Sequence, residues 1–147
     1  MTHFEKLEVY QLSVRLSGRA WSVVREWDGW VQRSHGSQLV RAADSVGANI
    51  ADGSGRGSRA DYRRCLYIAR GSLYETKHWL RLANQRGLLS EEDIHDFAAL
   101  LNELLPKLNA LISALHRADE TGHAKEAAAP YLSVADFGTF NEPNSPI

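Results

Sequence analysis

Apolar residues recur every three or four positions in four separate segments, and this spacing predicts four amphipathic helices. The segments are residues 5–27, 37 to the glycine-rich run at 53–57, 58–87, and 90–118. Ser37, Ser58 and Ser90 stand where helix N-caps are expected, because serine side chains accept hydrogen bonds from exposed backbone N–H groups. Gly87 is expected to end the third helix. The fold class predicted from this pattern is all-α.

Short connections between the four segments predict an antiparallel up-down-up-down four-helix bundle. Residues 28–36 are expected to form a loop, since they hold two glycines and a serine between two periodic segments. The periodic pattern stops near residue 118, and three prolines follow. We therefore expect one bundle domain, residues 1–118, and an irregular C-terminal tail, residues 119–147.

The first helix carries two apolar stripes on roughly opposite sides, whereas an ordinary surface helix needs one. One stripe is assigned to the interior of the bundle and contains Leu7, Tyr10, Val14, Ser17, Trp21 and Val24. The other is predicted to be an interface between copies of the chain and contains Val9, Leu16, Val23 and Trp27. Because large exposed apolar patches are rare on monomers, this pattern predicts a homo-oligomer.

The end of the second helix carries polar residues immediately before the glycine-rich run. Asn49, Asp52 and Gly53 are predicted to organise the turn into the third helix. Asparagine and aspartate side chains readily bond to nearby backbone, and contact with Arg41 or Arg56 is also expected. These three residues are therefore assigned a structural role.

The net charge of −1 hides an uneven distribution along the chain. The first 86 residues hold 14 Lys and Arg against 8 Asp and Glu, and most of the basic residues are arginine. Arginine suits phosphate because its planar fork donates two parallel hydrogen bonds. The candidate contacts to RNA or DNA are Arg41, Arg56, Arg59, Arg63 and Arg70. The alternative is that these arginines pair with acids of the fourth helix or of a neighbouring copy.

Several classes of protein are disfavoured. No apolar run approaches the ~20 residues that span a bilayer, so no membrane association is expected. The lone Cys65 excludes an intramolecular disulfide, and a cytoplasmic location is the default. Two Glu-x-x-His sequences, at 75–78 and 92–95, have the spacing of di-iron ligands but lie off the apolar stripes. No catalytic residue, metal ligand or cofactor site is predicted, so an enzyme is not expected.

The segment Ser37–Arg56 resembles the signature of the bacterial proteins encoded in 23S ribosomal RNA intervening sequences. Its most specific part is the run from Asn49 to Gly53; Phe4 with Leu7, and the run 69–75, are similar to two further markers of that family. The resemblance covers residues 4–117. It implies a four-helix bundle that assembles into a homopentamer, and it supplies no catalytic residues.

Three functions stay open. The first is an oligomer that binds RNA or DNA, which the resemblance favours because accessory proteins of diversity-generating retroelements are similar in fold and bind nucleic acid. The second is a protein-binding scaffold or assembly factor without nucleic-acid contact. The third is an enzyme. Binding that weakens steeply with salt distinguishes the first from the second, since phosphate contacts release counterions.

Overall fold

Four long helices form the part of the protein that the structure describes, as the apolar spacing predicts. The computed structural model describes residues 4–121, and the tail predicted beyond residue 118 lies mostly outside them. The helices are α1 (Glu8–Val24), α2 (Ser37–Ser54), α3 (Arg59–Gln85) and α4 (Glu91–Glu120), and a 3₁₀ turn at Phe4–Lys6 precedes α1. The described residues contain no strand. The all-α fold class is therefore confirmed.

The capping residues predicted for α3 and α4 are confirmed. The Ser58 side chain accepts a hydrogen bond from the Asp61 backbone N–H at 3.1 Å. Ser90 and Asp93 form a reciprocal capping box, with both hydrogen bonds at 3.0 Å. Gly87 adopts a left-handed conformation with φ of 70° and ends α3. A Schellman motif results, because the Leu88 N–H reaches the Ala83 carbonyl.

The loop predicted at residues 28–36 is wrong. A helical turn, Gly29–Val31, and a π-helical turn, Gln32–Gly36, lead into α2 without a break. Asp28 is the N-cap and accepts from the Val31 N–H at 3.2 Å, whereas Ser37 lies inside helical backbone. The loop was predicted because glycines often interrupt helices. At Gly36 a Cβ would lie 2.5 Å from the Val24 side chain, so glycine here permits close contact with α1.

Neighbouring helices run antiparallel around the bundle. Gly36 lies beside Val24 while Gly47 lies beside Ser13, so α2 runs opposite to α1. Equivalent pairs of contacts join α2 to α3, α3 to α4 and α1 to α4. Each helix thus packs against two neighbours, and α1 and α3 occupy diagonal positions. The cross-helix contacts give the up-down-up-down order.

Most of the assignment of the two α1 stripes is reversed in the structure, although Val24 is buried as predicted. Val9, Leu16 and Val23 are buried in the core of the single subunit. Trp27 is half-buried, and its indole N–H donates to the Leu88 carbonyl at 3.1 Å. These residues are therefore not an interface between copies. The two stripes have equal apolar character along the sequence, and only the packing of α2 and α4 decides which one faces inward.

Candidate interaction surfaces

The outward side of α1 exposes large apolar side chains. Val14 is 50% exposed and Trp21 is 62% exposed. Gly18 lies between them and Arg25 lies one turn beyond Trp21, so all four residues share one side of the helix. We call Val14, Gly18, Trp21 and Arg25 the α1 face. Burying Trp21 alone against a partner removes a large aromatic surface from water, which is a strong contribution to association.

A groove of about 680 Å³ lies beside the α1 face, between α1 and the start of α2. Trp21, Val24 and Val40 supply its apolar lining. Arg41 and Asp44 stand on its α2 side. The combination of an aromatic side chain, aliphatic walls and a few charges is typical of a surface that binds a partner.

A second exposed apolar position lies on α3. Ile68 is 43% exposed, and Gly71 and Glu75 follow it at helical spacing. We call Ile68, Gly71, Glu75 and His78 the α3 face. The sequence prediction missed this face because a single isoleucine among polar residues does not form an apolar stripe.

The arginines at the start of α3 are largely engaged within the subunit. Arg56 forms a two-point ion pair with Asp52, at 2.9 and 3.0 Å. Arg59 and Arg63 both contact Asp119 near the end of α4, and the Arg59 nitrogen is 3.5 Å from the carboxylate. The alternative stated for the candidate arginines, pairing with acids of the fourth helix, is therefore the one that holds for Arg59 and Arg63.

Arg70 is buried within the subunit, whereas Arg41 is exposed on its surface. The Arg70 side chain is buried, donates to the Asn109 side chain at 3.1 Å and stacks on the Tyr67 ring at 4.9 Å. Arg41 is exposed on α2, and no carboxylate of residues 4–121 forms an ion pair with it. Of the five predicted phosphate contacts, Arg41 is thus the one that is exposed without an ion pair among the described residues.

The predicted turn residues take three different positions. Asp52 accepts a hydrogen bond from Arg56 across the turn, and this hydrogen bond is the main cause that lowers the pKa of the Asp52 carboxyl group. Gly53 packs against α3, where an added Cβ would lie 2.7 Å from the Cys65 Cβ. The Asn49 side chain instead bonds back to the Ser45 carbonyl at 2.8 Å, one turn earlier in α2. Asp52 and Gly53 therefore shape the turn, and Asn49 does not reach it.

A buried histidine that the sequence prediction missed holds one end of the bundle together. His35 lies between the rings of Trp27 and Trp79, with centroids 5.5 Å away on each side. Its Nε2 is 2.8 Å from the Trp79 carbonyl, and its Nδ1 is 2.7 Å from the Arg86 guanidinium. Because a carbonyl only accepts and a guanidinium only donates, the ring is neutral with its proton on Nε2. Burial, with help from Arg86, lowers the pKa of His35.

The described residues offer no arrangement that favours metal chemistry or a membrane span. Within residues 4–121, no three His, Cys, Asp or Glu side chains are grouped so that they would hold a metal ion. In the same part of the chain, every helix falls short of the length and apolar character needed to cross a bilayer.

Comparisons with known proteins place this bundle in a family. A protein from Bacteroides thetaiotaomicron, described as a protein of unknown function from the S23 ribosomal protein family, has a similar crystal structure with a TM-score of 0.64. The two sequences are 24% identical, and the match covers 71% of this chain and 95% of that one, so the likeness shows the fold alone. No curated protein matches the sequence. The model of the 23S rRNA-intervening sequence protein family matches residues 5–110. The chain therefore belongs to the 23S rRNA-intervening sequence protein family.

Proposed function

We propose that this protein is a non-enzymatic scaffold of the cytoplasm that works as a homo-oligomer. The observation that carries the proposal is the α1 face, where Val14 and Trp21 are both at least half exposed. Leaving such side chains in water has a free-energy cost that burial against a partner recovers, by about 25 cal/mol for each Å² of apolar surface removed from water. A discrete assembly is expected, and five subunits are favoured by the family resemblance alone.

The test is the mass of the particle in solution after the α1 face is made charged. Val14→Glu with Trp21→Glu should convert the assembly to folded monomers, because two carboxylates would be buried in an apolar contact. Ala110→Glu, at an exposed α4 position, is the matched control and should leave the assembly intact. Light scattering with chromatography measures both. An unchanged oligomer in the double variant would remove the α1 face from the interface.

The second candidate function is binding to RNA or DNA, and one observation favours it. Arg41 is exposed, lies beside the groove and has no ion pair among the described residues. Repetition of one arginine in every subunit of an oligomer would add weak phosphate contacts through avidity. The name of the family refers to a 23S rRNA intervening sequence, so RNA is the first polymer to test.

Arg41→Ala distinguishes this second candidate from a scaffold without nucleic acid. If the candidate is right, wild-type protein binds a fluorescent single-stranded RNA at low salt, and both added salt and Arg41→Ala weaken binding. Arg33→Ala, at an exposed arginine outside the groove and outside both faces that no prediction assigned to phosphate, is the matched control. Equal binding by wild type and Arg41→Ala, or no binding at low salt, would reject the role of Arg41.

A further inference from the structure

Packing among residues 4–121 does not require glycine at two exposed positions in the middle of helices. Gly18 lies in α1 and Gly71 lies in α3, where glycine costs about 1 kcal/mol relative to alanine. Neither adopts a positive φ, and a Cβ added to either would meet no atom of these described residues within 4 Å. By contrast, a Cβ at Gly36, Gly47 or Gly53 would lie under 3.0 Å from a neighbouring helix.

Both open glycines have an exposed apolar side chain one turn away on the same helix. Gly18 is flanked on its helix by Val14 and Trp21, and Gly71 follows Ile68 by three residues. The distance between two packed helices depends on the size of the side chains at the point of contact. A glycine at the centre of an apolar surface therefore permits another helix to approach closely, and its flanking side chains then pack on either side of the contact.

The two faces belong to different helices of the bundle. α1 packs between α2 and α4, and α3 also packs between α2 and α4, so α1 and α3 lie on a diagonal. A contact that joins two different surfaces of one chain repeats from copy to copy without a two-fold axis. Such head-to-tail contacts give closed rings when the rotation per subunit closes.

We infer that the α1 face of one copy packs on the α3 face of the next, with Gly18 opposite Gly71. This inference rests on the proposed self-assembly and names the partner of the α1 face. The charged residues of the two faces favour a parallel arrangement of the two helices. When they run parallel, Arg25 of one copy lies near Glu75 and His78 of the next. An antiparallel arrangement would place Arg25 against Arg64, a like-charge contact that disfavours it.

Complementary blocked subunits test the pairing. Gly18→Trp blocks the α1 face and leaves the α3 face open, while Gly71→Trp does the reverse. Each variant alone should be a folded monomer, with helix content checked by circular dichroism. An equimolar mixture should form a one-to-one dimer of about twice the 16.4 kDa subunit mass, because one open face of each kind remains. Ala114→Trp, at an exposed position of α4, is the control and should assemble like wild type.

Each outcome decides the pairing. A dimer in the mixture supports it, whereas folded variants that stay monomeric when mixed would overturn it. If Gly71→Trp alone assembles like wild type, the α3 face is not part of the contact, and the inference is wrong although self-assembly stands. A monomeric wild type would instead show that the proposed function itself has failed.

A charge exchange gives a second readout that does not depend on large side chains. Arg25→Glu and Glu75→Arg should each lower the association constant of the contact about two- to fivefold, which is the range for exposed ion pairs. Combining both substitutions in one chain should restore wild-type assembly, since every copy contributes both faces. Additive weakening in the combined variant would contradict contact between these two residues.

Discussion

Gly53→Ala is expected to destabilise the subunit, because the new methyl group has no room between α2 and α3. The added Cβ would lie 2.7 Å from the Cys65 Cβ, 2.9 Å from the Tyr62 ring and 3.3 Å from the Tyr62 backbone oxygen. Favourable carbon contacts need about 3.5–4.0 Å. The Cys65 Cβ is fixed to the α3 backbone, so the two helices must separate by several tenths of an ångström.

The magnitude follows from two opposing effects. Overpacking of a tight contact costs about 1–3 kcal/mol. Replacing a helical glycine with alanine recovers up to about 1 kcal/mol of backbone propensity. We therefore expect the free energy of unfolding of Gly53→Ala to fall by about 1–2 kcal/mol, measured by urea denaturation at one fixed protein concentration, since assembly makes apparent stability concentration-dependent.

The matched control is Gly57→Ala in the same turn. Gly57 has a negative φ, and a Cβ added there would meet no atom within 4 Å among residues 4–121. The control should therefore be neutral or more stable by up to about 1 kcal/mol, since alanine restricts the unfolded chain. If Gly53→Ala proves as stable as Gly57→Ala, the close contact between α2 and α3 at this turn is wrong.

Four further substitutions test contacts within the subunit. The lowered pKa of His35 means that the unfolded chain binds the proton more readily than the folded chain. The contribution of His35 to the free energy of unfolding is therefore complete above about pH 6.5 and is lost as the pH falls through the folded pKa. The urea midpoint should change less between pH 7.5 and pH 5 in His35→Gln than in the wild type. Asp119→Ala should lower the free energy of unfolding by about 1 kcal/mol, because Arg59 and Arg63 lose their shared carboxylate. Arg59→Ala should have a smaller effect, because the Arg59 side chain is more exposed than that of Arg63. Trp27→Phe should cost about 1 kcal/mol for the lost hydrogen bond to a carbonyl and leave the oligomer unchanged; a change in oligomer mass at equal stability would restore Trp27 to the interface.

Helix periodicity and capping predicted most of this fold because both depend on local sequence. The 3-4 apolar spacing located four helices, and Ser58, Ser90 and Gly87 marked the ends of two of them correctly. The loop prediction failed at residues 28–36, where glycine serves helix packing and not a turn. Local composition does not distinguish these two uses of glycine, since the neighbour that requires it is distant in sequence.

The candidate surfaces were harder to predict because they depend on which side of each helix meets a neighbour. Val14 and Trp21 were assigned to the interior and are exposed, whereas Leu16 was assigned to the interface and is completely buried. The number of arginines available for phosphate contacts was overestimated for a related reason. Asp119 was placed in the tail, but α4 continues to Glu120 and brings its carboxylate to Arg59 and Arg63.

Native mass spectrometry of the wild-type protein measures self-assembly directly. We expect one dominant particle at micromolar concentration whose mass is a whole multiple of the 16.4 kDa subunit, with five copies favoured by the family resemblance. A mass of 16.4 kDa at every concentration measured would contradict self-assembly and leave the exposed Val14 and Trp21 to a different partner.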